Sequence, residues 1–127
     1  MTRAVRGAIQ LRDNSRSSIE EASVRLIGEM LRRNTIAQDL IVSIIFSLTD
    51  DLTTANPATA LRHVGFAATP LFCVQEARVD GAMLRVIRAL VTYETQDARV
   101  AVPVYLDGAE SLRTDLSHGD PSGAQPS

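Results

Sequence analysis

Apolar and polar positions alternate in distinct ways along the chain and divide it into elements. Arg3 to Leu11 mixes β-branched and small residues around Gly7 and predicts a first strand. Asp13 to Ser18 is polar and turn-like. Ser17 followed by Glu20 fits a capping box, in which hydroxyl and carboxylate each satisfy an orphan helix donor. Ile19, Ala22, Leu26, Ile27, Met30 and Leu31 then recur at helical spacing, and Arg32 and Arg33 close the last turn, where cations suit the dipole. Leu40 to Leu48 (LIVSIIFSL) is almost continuously apolar and predicts a central strand covered on both faces. After a polar loop, Asn56-Pro57 supplies an N-cap and a first-turn proline for a short helix from Pro57 to Val64, stopped by Gly65.

Pro70 opens a strand, Leu71 to Gln75, that leads into Glu76, and Asp80-Gly81 marks a turn. Met83 to Thr95 fits helix or strand by pattern, but Val86, Ile87, Val91, Thr92 and Tyr93 favour strand. Val100 to Leu106 predicts a strand that Pro103 confines to a sheet edge. Gly108 to Leu116 fits a last helical turn. From Ser117 onward Gly, Pro and Ser dominate, which predicts a flexible tail over 117–127. The expectation is one α+β domain over 1–116, with four or five strands and two or three helices.

Composition narrows the function. A chain of 127 residues and 13.8 kDa is one domain, with roughly two-thirds of its unfolded surface available for burial. A net charge of −2 argues against a general nucleic-acid binder. All thirteen basic residues are Arg, so Schiff-base chemistry and a P-loop lysine are excluded, and every cation is a planar fork suited to carboxylate or phosphate. The lone cysteine, Cys73, allows neither an internal disulfide nor a cysteine-based metal site. MTRAVRGAIQLRD has no apolar signal region, and no apolar run approaches the roughly 20 residues that span a bilayer. These features predict a reduced, cytoplasmic location with no membrane partner.

The usual chemical machinery is missing. Ser117, His118 and Asp120 lie in the tail, where nothing would hold a triad in register. Asp50-Asp51 reads as a solvated loop rather than a cation site, and Cys73 as a half-buried strand residue. What stands out is charge within apolar segments: Arg6 in AVRGAI, Glu76 after LFCVQ and Arg88 in VIRALV. Singly, each fits a strand edge or a structural ion pair. Together they suggest a dry pocket for an anion that would act by electrostatic preorganisation rather than covalent chemistry.

These segments also carry a resemblance. VRGAI, TDDL, PATALR, PLFCVQEARVDGAMLRVIRAL and VYLDGAESLRTDL, in that order and spacing, resemble the AroH-class monofunctional chorismate mutases, the small trimeric type. The match runs from Arg3 to about Leu116. It implies a mixed sheet flanked by helices, three subunits forming a pseudo α/β-barrel, active sites between subunits, and conversion of chorismate to prephenate with no cofactor or metal. It further implies roles for individual residues. Arg6 matches an arginine that binds a substrate carboxylate. Arg88 matches one that reaches the ether oxygen and a carboxylate, and Glu76 the glutamate that accepts the ring hydroxyl. Cys73 matches the cysteine beside that group, and Tyr105 a tyrosine that supports carboxylate binding. Arg62 matches an arginine near the cleft, and Leu112 and Arg113 positions where the C-terminal segment closes over the ligand.

Asn56, Thr59 and Phe72 depart from the family pattern, which bears on affinity and on electrostatics at the entrance. Cys73 and Glu76 are three apart, so both reach one cleft only if the strand bends or ends between them. Two alternatives stand beside the mutase: a non-catalytic trimeric module that binds small acids, and a trimeric imine deaminase, against which the Cys73 to Arg88 segment argues.

Overall fold

A computed structural model of the chain describes residues 1–112. In order, β1 (Thr2–Gln10), α1 (Arg16–Arg33), β2 (Ile41–Leu48), α2 (Pro57–Arg62), β3 (Leu71–Gln75), β4 (Val86–Glu94) and β5 (Val104–Leu106) are joined by loops, with 3₁₀ turns at Gln38–Leu40 and Ala109–Leu112. The strands form one mixed sheet in the order β3-β2-β4-β1-β5. β4 lies antiparallel to both β1 and β2, while β3 and β5 run parallel to their neighbours. An α+β architecture is therefore present. Among the described residues no helix is long and apolar enough to cross a membrane. Arg113 and the 117–127 tail lie outside the described residues.

Both helices pack on one face of the sheet. α1 presents Ile19, Leu26, Ile27 and Met30, all fully buried, to Val5, Ile9, Ile87 and Val91 of the sheet. Gly7 lets them approach closely: a Cβ there would come within 2.5 Å of Met30 Sδ. α2 adds Leu61 to the same core. Asn56 caps α2 by accepting a hydrogen bond from the Ala58 N–H at 2.8 Å, and Gly65, at φ +106°, ends the segment in the left-handed region.

Some expectations are corrected. α1 begins at Arg16, and its N-cap is Ser15, whose Oγ accepts from the Ser18 N–H at 3.1 Å. The Asp13 side chain accepts from the Ser15 N–H and turns the chain early, so Ser17 is already helical and Glu20 pairs with Arg16 instead (3.7 Å). α2 stops at Arg62, β5 is shortened to Val104–Leu106 beyond Pro103, and the last turn is 3₁₀.

The largest correction concerns β2. Ile44 and Phe46 are fully buried under the helices, but Ile45 on the opposite face is 40% exposed. Its neighbours across the strands, Phe72 and Leu90, are exposed too. In the single chain this strand is covered on one face only, and its apolar run reflects two apolar faces rather than two protein layers.

Candidate active site

The open face of the sheet collects the residues that carry chemistry. Register pairs Ser47 with Arg88, Arg88 with Ala8, and Ala8 with Tyr105, so these four form one row across β2, β4, β1 and β5. The next row on the same face pairs Phe72, Ile45, Leu90 and Arg6. Arg6, Ile45, Ser47, Arg88, Leu90 and Tyr105 line a concavity of about 210 Å³. An adjoining concavity of about 290 Å³ shares Arg88 and contains Glu76 with the loop that follows it.

Glu76 lies just past β3. Its N–H donates to Leu48 O at 2.7 Å, which extends the ladder by one bond and keeps its side chain on the open face with Phe72 and Val74. Its Oε2 lies 3.1 Å from Arg88 Nε, with both side chains about 70% buried (28% and 30% exposed). Arg88 Nε is buried, and its N–H is not aimed along a hydrogen bond to any described atom. The pair is thus held by charge and proximity rather than by an aligned hydrogen bond. Ser47 Oγ donates to the other carboxylate oxygen, Glu76 Oε1. The sequence reading did not single out Ser47. The available signal was a hydroxyl at an alternate position of an otherwise apolar strand.

The entry to β4 is pinned as well. Arg85 adopts φ +54°, a left-handed conformation costly for a non-glycine residue. Asp51 accepts from the Arg85 N–H at 3.0 Å, and Arg85 Nε donates to Leu11 O at 2.9 Å. Asp51 also accepts from Thr49 Oγ1 at 2.5 Å, while Asp50 lies 3.2 Å from Arg78. The Asp50-Asp51 pair is thus engaged in fixing loops, and Asp51 is half-buried rather than fully solvated. Tyr105, buried to 7% exposure, packs with Ala8, Val86 and Ala109, against which Leu112 also rests. That small cluster closes one end of the open face.

Not every expected residue converges. Cys73 pairs in register with the buried Phe46 and packs against the helix-side core, so its thiol lies on the face opposite Glu76 and Arg88. Partial burial raises the Cys73 thiol above its ordinary range. β3 ends at Gln75, between the two residues, but the Glu76 N–H continues the ladder to Leu48 O, so the alternation of side chains carries past the strand end and leaves Cys73 and Glu76 on opposite faces. Arg62 is exposed at the end of α2, on the helix side of the sheet, and lines neither concavity. A larger concavity of about 610 Å³, beside Arg12, Arg25 and Arg85, shares no residue with the Arg88 row. Two of its arginines are committed, Arg25 to an ion pair with Asp107 and Arg85 to Leu11 O. The candidate site is therefore chosen by the cation–carboxylate pair on an apolar face rather than by cavity size.

Comparison with known proteins identifies relatives of this chain. The family described as chorismate mutase type I matches residues 2–116. The chain is 38% identical over 118 residues to the chorismate mutase AroH of Thermus thermophilus, covering 91% of this chain and 97% of that protein. It is 30% identical over 119 residues to the chorismate mutase AroH of Bacillus subtilis (strain 168), covering 92% and 94%. A solved chorismate mutase from Clostridium thermocellum superposes with a TM-score of 0.82 at 38% identity, covering 86% of this chain and 98% of that one. A mixed sheet with an arginine and a glutamate paired on its open face thus accompanies near full-length similarity to these enzymes, and the chain belongs to the chorismate mutase type I family.

Proposed function

We propose that this protein is a chorismate mutase, an isomerase that converts chorismate to prephenate in the biosynthesis of phenylalanine and tyrosine. The observation that carries the mechanism is the Arg88–Glu76 pair on the open sheet face. The reaction is a unimolecular [3,3] rearrangement, which needs no nucleophile, metal or cofactor. As the ether C–O bond stretches ahead of C–C bond formation, negative charge grows on the ether oxygen. A guanidinium held by the β4 backbone stabilises that charge more in the transition state than in the ground state, which is the condition for acceleration. Glu76 would accept the ring hydroxyl. Arg6 and Tyr105 would bind carboxylate and hold the substrate in its compact reactive shape.

The active unit in this proposal is a homotrimer, a pseudo α/β-barrel with sites between subunits. Three features support it. The concavity beside Arg88 is smaller than the roughly 300–1,000 Å³ of ordinary ligand sites, as expected if a second copy supplies a wall. The open face exposes Ile45, Phe72, Val74 and Leu90 together, a patch of the kind that marks an interface. Arg62 lines neither concavity of the single chain, so a neighbouring copy would be its route to the cleft. The free Cys73 suits a reducing, cytoplasmic location.

Ultraviolet absorbance of chorismate, followed with purified protein, tests the assignment. Enzyme-dependent loss with formation of prephenate is expected. Saturable chorismate binding without loss would support the small-acid-binding module instead, and absence of both would overturn the reading.

A further inference from the structure

We infer that Ser47 is a positioning residue that divides the Glu76 carboxylate between itself and Arg88 and so keeps the Arg88 guanidinium turned toward substrate. The inference rests on the mutase reading and extends it to a residue with no assigned role. Glu76 and Arg88 belong to segments that do not pair: β2 runs between β3 and β4, and Ser47 is the β2 residue directly between them, opposite Val74 on one side and Arg88 on the other. Its hydroxyl donates to Glu76 Oε1, while Oε2 faces Arg88 Nε. A carboxylate beside an arginine ordinarily closes into a bidentate fork. Here one oxygen is already taken, and the remaining contact falls on Nε without an aligned hydrogen bond. The Glu76 backbone is fixed by its bond to Leu48 O, so the carboxylate has little freedom except rotation about its own side chain.

Loss of the Ser47 hydroxyl removes the restraint on Oε1. The carboxylate then turns onto the guanidinium, and Arg88 spends its donors on Glu76 rather than on the developing ether-oxygen charge. The effect falls on the transition state more than on ground-state binding, so kcat drops more than KM rises.

The test compares wild type, Ser47→Ala and Ser47→Thr in the chorismate assay, with a double-mutant cycle against Glu76→Ala. Wild-type turnover is the control for the function itself; without it the mutase reading fails, independently of Ser47. Given wild-type turnover, Ser47→Ala is expected to lower kcat about tenfold, the scale of one hydrogen bond to a charged group, with KM changed less than about threefold. Ser47→Thr, which keeps the hydroxyl on a strand-compatible side chain, should restore most of the rate. Ser47→Ala should cost far less in the Glu76→Ala background. Wild-type kcat in Ser47→Ala, no rescue by Ser47→Thr, or equal losses in both backgrounds would each overturn the inference.

Discussion

Arg88 and Glu76 meet over the top of a strand to which neither belongs: Arg88 Nε lies 3.1 Å from Glu76 Oε2, with β2 and its Ser47 between their two segments. The contact combines two readings that the sequence left open. It is an ion pair with a structural consequence, and it places a fixed cation on an apolar face where an anionic substrate could use it. Because each partner is supported by its own backbone, replacing one need not unfold the sheet.

Arg88→Ala should therefore fold and fail to turn over. Removal of one preorganised donor costs about 3–4 kcal/mol, or a few hundredfold in rate. Arg88→Lys should also be poor, because a point charge does not reproduce the planar fork. Circular dichroism would report the intact fold and the chorismate assay the loss; near wild-type turnover in Arg88→Ala would refute the mechanism.

Assembly offers a second check. Leu90 is 37% exposed on the open face, so a glutamate there leaves the helix-side core untouched. Leu90→Glu should remain folded, run as a monomer in size exclusion with light scattering, and lose activity. The wild type should run as a trimer. A fully active wild-type monomer would show that one chain completes the cleft.

The Cys73 thiol is expected to be sluggish. Burial raises its pKa, so at a given pH it holds less thiolate than a free cysteine. Alkylation by iodoacetamide at pH 8 should be slower than for glutathione and should speed up in urea. Reaction as fast as glutathione would mean that the thiol is not packed against the helix-side core.

Gly7→Ala tests the closeness of α1 to the sheet. The added Cβ would sit 2.5 Å from Met30 Sδ and 3.1 Å from Leu26 Cδ1, both on fully buried side chains. Overpacking of this kind costs about 1–3 kcal/mol, and a fall in Tm of about 4 °C or more is expected. An unchanged Tm would show that Met30 moves aside freely.

The sequence by itself determined the elements and their chemistry. Periodicity placed α1 through Ile19 to Met30, Asn56-Pro57 opened α2, and β3 fell at Leu71–Gln75 as read, because these are local preferences set by side-chain size and backbone donors. Charges inside apolar segments singled out Arg6, Glu76 and Arg88 for the same reason: burying a charge without a partner is costly wherever it occurs. What only the tertiary structure decided was sidedness and neighbourhood. A continuous apolar strand cannot say whether its second face meets another layer, and β2 leaves that face open in the single chain. Strand order is a long-range choice, and it put Ser47 between Glu76 and Arg88; a hydroxyl in an apolar strand marks the residue but not these neighbours. Strand parity sent Cys73 to the opposite face from Glu76, because successive side chains alternate across a sheet and the Glu76 N–H carries the ladder one bond past the end of β3.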